Sequence, residues 1–142
     1  VMFKNILIAV DGSESNNHAV DQGLSLAKSL GAKITAICVF DIGSYGAVSQ
    51  GYGLGDEREY MLNASRESLK YITEQAAAMG VDLETKVLTG RPAETIIEQS
   101  KNYDLVVCGT LGRTGISRAM VGSVAERVVR MAYSPVLVCR KQ

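Results

Sequence analysis

The fold is decided by residues 4–13, KNILIAVDGS, which join an apolar run to an abrupt polar turn. Residues 4–10 are almost wholly apolar, which is typical of a strand that is covered on both faces of a parallel sheet. Asp11 and Gly12 end that run, and Ser13 is suited to cap a following helix. Apolar residues recur at helical spacing beyond this point. The stretch therefore predicts a buried strand that leads directly into a helix.

The same alternation of strand and helix patterns continues along the rest of the sequence. Four further strands are predicted, at residues 33–40, 82–88, 104–108 and 135–140. Three further helices are predicted between them: one after a glycine-rich loop at 41–56, one that begins at Pro92, and one that begins with a capping box, SVAE, at 123–126. Five strands that alternate with four helices are typical of an α/β protein with a mainly parallel sheet.

The order of the strands follows from their polarity. The third strand alternates polar and apolar residues, which is typical of a half-exposed edge, whereas the apolar first strand should be central. Right-handed crossovers then favour the order 3-2-1-4-5. We therefore predict one domain over residues 1–142, a Rossmann-like open sheet of five parallel strands with helices on both faces. Ligands of such sheets bind at the carboxyl ends of the strands where the winding reverses, here between strands 1 and 4.

Composition and charge argue against several kinds of partner. Fifteen basic and fifteen acidic side chains give a formal net charge of zero, so we expect neither nucleic acid nor a membrane surface as a partner. No apolar run approaches the ~20 residues of a membrane helix, and no leader pattern precedes the first strand. Cys38, Cys108 and Cys139 each lie in a strand pattern, as small buried apolar residues do. We expect a cytoplasmic protein in a reducing compartment.

A second informative stretch is GTLGRTGISRAMVGS, residues 109–123, with glycines spaced G-x2-G-x9-G-S. Glycine lets backbone amides approach a ligand closely. Successive amides form an anion-binding nest, and the N-terminus of the last helix adds its dipole. Two arginines and three hydroxyl groups accompany the glycines: Arg113, Arg118, Thr110, Thr114 and Ser123. The stretch therefore predicts a phosphate site at the switch point of the sheet.

Asp11 has two interpretations. An aspartate before glycine at the start of a helix is good turn chemistry without any ligand. It is also the one carboxylate expected at the switch point on the first loop, where it suits a ribose hydroxyl or Mg²⁺.

The sequence resembles the universal stress proteins of the ATP-binding type. The resemblance covers the whole chain and rests on the glycine motif together with ILIAVDGS at 6–13, GRPAE at 90–94 and SPVLV at 134–138. It implies a single nucleotide-binding domain that binds ATP with Mg²⁺ or Mn²⁺. It also implies a regulatory protein of the stress response, which acts as a nucleotide-sensing homodimer. Leu111 departs from the family pattern, because many members have a polar residue there, often histidine.

The resemblance also assigns residues to parts of the nucleotide. Ala9 and Val39 would lie near the adenine ring, with hydrogen bonds to the base from the Val39 backbone. Asp11 would face the ribose or a metal ion held by the phosphates. Together the residues implied to bind nucleotide are Ala9, Val10, Asp11, Val39, Gly109, Thr110, Leu111, Gly112, Arg113, Gly122, Ser123, Val124 and Ala125.

Two other functions remain open from the sequence. One is a nucleotide-independent protein-interaction module, in which the glycines serve only as turn residues. The other is an enzyme that hydrolyses ATP or transfers a nucleotidyl group. Phosphoryl transfer needs a positioned nucleophile and charge stabilisation, and the sequence offers no obvious base to orient water. We assign no catalytic residue and expect at most slow ATP hydrolysis.

Three remaining features concern the surface. Strand 5 is apolar and uncharged before Arg140, and such an edge invites pairing with another chain, which favours a homodimer across this strand. His18, the only histidine, is expected on the surface of the first helix. The glycine-rich residues 43–55 are either a lid over the site or a surface connection without a role.

Overall fold

Five strands and four helices alternate along residues 3–41, 54–110 and 121–140, which are the residues that the computed structural model describes. The strands are β1 (Asn5–Ala9), β2 (Lys33–Asp41), β3 (Leu83–Gly90), β4 (Leu105–Gly109) and β5 (Val136–Cys139). The helices are α1 (Asn17–Leu30), α2 (Leu54–Met79), α3 (Pro92–Gln99) and α4 (Ser123–Met131). Short 3-10 turns, Glu14–Asn16 and Ser100–Asn102, precede α1 and follow α3.

The sheet is parallel throughout and has the order β3-β2-β1-β4-β5, as predicted. β1 is central because it pairs with β2 on one side and with β4 on the other: Ile6 lies opposite both Ile34 and Leu105. Ile6, Leu7 and Ile8 are fully buried, which explains why this strand has almost no polar residue. The switch point therefore lies where β1 and β4 end.

Helices cover both faces of the sheet and form two apolar layers. On one face, Leu24 of α1 and Ile72 of α2 pack over the sheet. On the other face, Ile96 of α3 and Val128 of α4 pack over the side chains of Leu7 and its neighbours. Each fully buried side chain of this size contributes about 1.5–3 kcal/mol relative to an exposed one. α3 and α4 therefore lie on the same face of the sheet.

The two edge strands differ as the sequence predicts. β3 has a half-exposed pattern, and its Glu84 forms an ion pair of 3.2 Å with Lys33 of β2. β5 lies at the opposite edge, where the side chain of Leu137 is 38% exposed. Charged residues protect an edge from pairing with other chains, so the β3 edge is the better protected of the two.

The predicted helix starts at Ser13 and Ser123 need correction. A 3-10 turn separates Ser13 from α1, and the Ser13 hydroxyl donates to the carboxylate of Asp11 instead of capping the helix. At α4 the N-cap residue is Gly122, so Ser123 is already the first helical residue and does not hold the capping position. The predicted capping box is therefore wrong by one position. Only the residue just before the helix is placed so that its side chain can accept bonds from the amides of the second and third helical residues.

His18 and two predicted loops complete the comparison. His18 is half-buried, not exposed, and its Nε2 atom is shielded from solvent without a hydrogen-bond partner among the described residues. The candidate lid at 43–55 and the residues Leu111, Gly112 and Arg113 fall largely or wholly outside the described residues. Within the described ranges no helix is both long and apolar enough to span a membrane.

Candidate functional site

A cavity of about 130 Å³ lies at the carboxyl ends of β1 and β4, at the predicted switch point. Residues from three strands, two helix starts and the loops between them surround it. Its lining consists of Ala9, Val10, Asp11, Asn16, Ile37, Val39, Pro92, Ile96, Cys108, Gly109, Thr110, Gly122 and Ala125. A cavity of about 150 Å³ holds one benzene molecule. The described residues therefore line a partly open compartment of about the size of one small ring.

One wall of the cavity is apolar. Ile37 and Val39 come from β2, Pro92 and Ile96 from the start of α3, and Ala125 from the first turn of α4. Several of these residues also belong to, or pack against, the apolar layer beneath α3 and α4. Since ligand pockets are lined mainly by apolar side chains with a few polar groups that fix orientation, this wall suits the face of a flat ring.

Cys108 contributes a neutral thiol to the same cavity. It is 5% exposed, and burial raises the pKa of its thiol to about 12, with a smaller contribution from nearby Cys139. Because the thiolate is the reactive form, Cys108 acts here as a small packing residue. This agrees with the prediction from the strand pattern, and Cys38 and Cys139 are buried as well.

The cavity lining also includes Asp11, which lies in a tightly held turn. Its Oδ1 atom accepts a hydrogen bond from the Ser13 amide at 2.9 Å and from the Ser13 hydroxyl at 2.7 Å. The Ser13 hydroxyl is in turn 3.0 Å from the hydroxyl of Ser15. Gly12 has a φ of +79°, which an L side chain rarely adopts. The turn thus fixes the carboxylate at the rim before any ligand arrives.

Thr110 and Gly122 bring the two ends of the glycine motif together. The amide of Gly122 donates to the carbonyl of Thr110 at 2.5 Å, and the amide of Thr110 donates to the carbonyl of Cys139 at 3.1 Å. Thr110 is 3% exposed. The chain therefore leaves β4 and returns to α4 at one place, beside the cavity and in direct contact with β5.

Two helix N-termini border the cavity. Pro92 is the first residue of α3, and Gly122 is the N-cap residue of α4; both line the cavity. Each N-terminus carries a partial positive charge and amides that lack helical partners. These two ends favour an anionic ligand although the chain as a whole has no net charge.

The structure separates the predicted site residues into three groups. Those that line the cavity are Ala9, Val10, Asp11, Val39, Gly109, Thr110, Gly122 and Ala125. Ser123 and Val124 are exposed on the first turn of α4 and do not line it. Leu111, Gly112 and Arg113 lie outside the described residues. No group of three or more metal-binding side chains occurs within residues 3–41, 54–110 and 121–140.

Sequence analysis missed five lining residues: Asn16, Ile37, Pro92, Ile96 and Cys108. Pro92 and Ile96 were foreseen as part of a helix, and the right-handed crossover from β3 could have placed that helix beside the switch point. Asn16 gave no comparable signal, because a polar residue before a helix is ordinary.

An open parallel α/β sheet with helices on both faces and a cavity at its switch point defines the class of doubly wound domains, in which ligands bind at that place. The model of the universal stress protein family matches residues 2–140. The chain belongs to the universal stress protein family.

The chain is similar to one curated protein in sequence and to two solved structures in fold. A universal stress protein of Methanocaldococcus jannaschii is 36% identical over 142 residues, which cover 99% of this chain and 84% of that protein. A universal stress protein solved in complex with cAMP has a TM-score of 0.75 and 22% identity, with both chains fully covered. A family protein from Arabidopsis thaliana with AMP bound has a TM-score of 0.68 and 20% identity, over 98% of this chain and 92% of that one. At these identities the two solved structures show the shared fold.

Proposed function

We propose that this protein binds ATP together with Mg²⁺ and acts as a nucleotide-sensing regulatory protein of the stress response in the cytoplasm. The observation that carries the proposal is the cavity at the switch point. It is lined by eight of the residues that the sequence resemblance assigns to nucleotide binding, although those residues are widely separated along the chain.

The adenine ring occupies the apolar compartment in this proposal. Val39 at the end of β2 and Ala9 at the end of β1 lie on its border. Because this compartment of about 130 Å³ is partly open, a flat ring larger than the compartment can enter it edge first. The ribose and the phosphates then extend toward Asp11 and Gly122. The carboxylate of Asp11 can accept a hydrogen bond from a ribose hydroxyl or bind Mg²⁺.

The phosphates lie at the start of α4 in this arrangement. The N-terminal amides of α4 and the helix dipole favour anionic oxygen atoms, and Ser123 is exposed there and does not hold the capping position. Gly112 and Arg113 complete the phosphate site according to the sequence motif. A bound Mg²⁺ would neutralise phosphate charge beside Asp11.

The two solved family members named above are described with cAMP and AMP, which share adenosine with ATP. They support adenosine as the common element of the ligand. The preference for a triphosphate rests on this chain's own glycine motif and on the helix start at Gly122.

Thermal unfolding with and without Mg-ATP tests the proposal. A ligand at one hundred times its dissociation constant stabilises by about 2.7 kcal/mol, which corresponds to a rise in Tm of roughly 5–10 °C for a chain of this size. Ala125→Leu fills the cavity from α4 and should abolish the rise without loss of stability. Ala78→Leu makes the same change at an exposed position of α2 and should keep the rise. Absence of a rise in nucleotide-free wild-type protein would favour an interaction module instead.

A homodimer through β5 is the second part of the proposal. β5 is an edge strand, and its Leu137 is 38% exposed. Exposed apolar residues lie nearby in sequence on α4 and after it: Val129, Met131 and Tyr133. Pairing two such edges would satisfy their backbone groups and cover this apolar surface.

Light scattering on two matched variants tests the dimer. Leu137→Glu places a charge on the β5 edge and should give a monomer mass at micromolar concentration. Val87→Glu makes an equivalent change on β3, the other edge strand, where the side chain is 37% exposed, and should leave a dimer mass. A monomer mass for wild-type protein would contradict this part of the proposal.

Turnover is expected to be slow at most. Efficient phosphoryl transfer needs a group that orients the attacking water, and Asp11 is the only carboxylate among the described lining residues. Its Oδ1 atom is already engaged by Ser13. Steady-state phosphate release that Asp11→Asn abolishes would instead support an ATP-hydrolysing enzyme.

A further inference from the structure

Asn16 lies within the helical run at the start of α1. It is the last residue of the 3-10 turn Glu14–Asn16, has helical angles of φ −87° and ψ −17°, and directly precedes Asn17, the first residue of α1. A side chain that caps a helix belongs to a residue with non-helical angles, and the Asn16 side chain makes no capping hydrogen bond. This side chain instead makes contacts outside the helix.

The Asn16 side chain turns back onto the end of β1. Its Nδ2 atom donates to the carbonyl of Ala9 at 3.3 Å, and its Oδ1 atom accepts from the amide of Asp11 at 3.4 Å. Between these two residues, the amide of Val10 donates to the carbonyl of Ile37 on β2 at 2.9 Å. Three successive residues are thus held where the chain leaves the sheet.

Burial makes these hydrogen bonds matter. Asn16 is 5% exposed and lines the cavity, and a buried amide is stabilised only when it has hydrogen-bond partners. An apolar side chain here would leave the carbonyl of Ala9 and the amide of Asp11 without those partners. The bonds from Ser13 would remain, but they reach the Asp11 side chain and not its backbone.

We propose that Asn16 is a positioning residue for nucleotide binding, which fixes the exit of β1 so that Asp11 faces the cavity. The inference rests on the proposed function, because Asp11 is the group that it serves. Asn16 acts in this scheme through the main chain on either side of Val10. It aligns the carboxylate before binding, so that the ligand does not have to order the turn itself.

Amide hydrogen exchange tests the positioning without any nucleotide. In Asn16→Ala the Asp11 amide should exchange about tenfold faster, since its acceptor is removed. The Val10 amide should keep its wild-type rate, because its acceptor is the carbonyl of Ile37. Asn17→Ala, the same deletion one residue later, should change neither rate.

Two exchange results would overturn the inference. One is an unchanged rate for the Asp11 amide in Asn16→Ala. The other is an equal acceleration of the Val10 and Asp11 amides, which would show general loosening of the strand instead of a specific hold on Asp11.

A double-mutant cycle on ATP affinity tests the link to binding. Asn16→Ala and Asp11→Ala should each weaken ATP binding about fivefold to tenfold, the effect of losing one or two ordinary hydrogen bonds. The double variant should bind ATP about as well as the weaker-binding single variant, because Asn16 acts through Asp11. If the affinity losses of the two single variants multiply in the double variant, Asn16 acts independently of Asp11, and the positioning role is wrong. If wild-type protein binds no ATP, the proposed function fails, and the exchange rates alone decide how Asn16 holds Asp11.

Discussion

Replacement of Gly12 by alanine tests how tightly the turn after β1 is held. Gly12 has a φ of +79°, and a Cβ atom added there would lie 2.9 Å from the Cα atom of Ser68 on α2. Two costs follow. An L residue in the left-handed region costs about 1–2 kcal/mol, and the forced contact costs about 1–3 kcal/mol more, as overpacking of a well-packed site does.

Gly31→Ala is the matched control for this substitution. Gly31 also has a positive φ, +66°, but an added Cβ would meet nothing within 4 Å. Both variants gain the same stabilisation, about 0.4–1 kcal/mol, from reduced freedom of the unfolded chain. The difference between them therefore isolates the contact with α2. We expect Gly12→Ala to be less stable than Gly31→Ala by about 1–3 kcal/mol.

Urea unfolding monitored by circular dichroism gives both free energies of unfolding. Thermal unfolding should show the same order, with Gly12→Ala melting about 2–12 °C below Gly31→Ala. Ser68→Ala should not restore the stability of Gly12→Ala, because the nearest atom is the Cα of Ser68 and remains in place. Equal free energies for the two glycine variants would refute the argument that α2 buttresses this turn.

Three further predictions concern single side chains. Ser123→Ala should change the unfolding free energy of ligand-free protein by less than about 0.5 kcal/mol in a urea titration, because Ser123 does not hold the capping position of α4. A loss near ~1 kcal/mol would show that Ser123 caps the helix after all. The Asp104 carboxylate accepts bonds from the amides of Asn5 and Lys4, which hold its pKa below the ordinary 3.8, so the stability it contributes should be present above the unfolded pKa and lost as pH falls through the folded one. Urea midpoints measured at acidic pH should accordingly fall less steeply in Asp104→Asn, and equal slopes would contradict the assignment. Burial raises the pKa of Cys108 to about 12, so a thiol reagent at pH 8 should label this thiol only as fast as the surrounding structure opens by local or global unfolding. Rapid labelling of the native protein would contradict the burial of Cys108.

Much of the fold could be predicted because polarity and strand position are tied by simple physics. Ile6, Leu7 and Ile8 are apolar because β1 is covered by helices on both faces and by strands on both sides. Glu84 is exposed on β3, which is an edge strand of the sheet. These constraints act on whole strands, so one sequence is enough to reveal them and to locate the switch point.

Details of the site could not be predicted where the side chain of one residue can form hydrogen bonds with several alternative partners. Ser13 and Asn16 both suit a helix cap, yet their side chains bond to Asp11 and to the end of β1 instead. At α4, Gly122 became the cap, and a shift of one residue removed the capping role of Ser123. Such choices depend on tertiary positions that local sequence patterns do not carry.

The central claim is that an adenine nucleotide binds in the cavity at the ends of β1 and β4. A backbone amide NMR titration of wild-type protein with Mg-ATP tests it most directly. The account predicts saturable shifts concentrated at residues 9–16, 37–39, 108–110 and 122–125, and their loss in Ala125→Leu but not in Ala78→Leu. A spectrum that ATP leaves unchanged, or shifts confined to another part of the sheet such as the β3 edge, would contradict it.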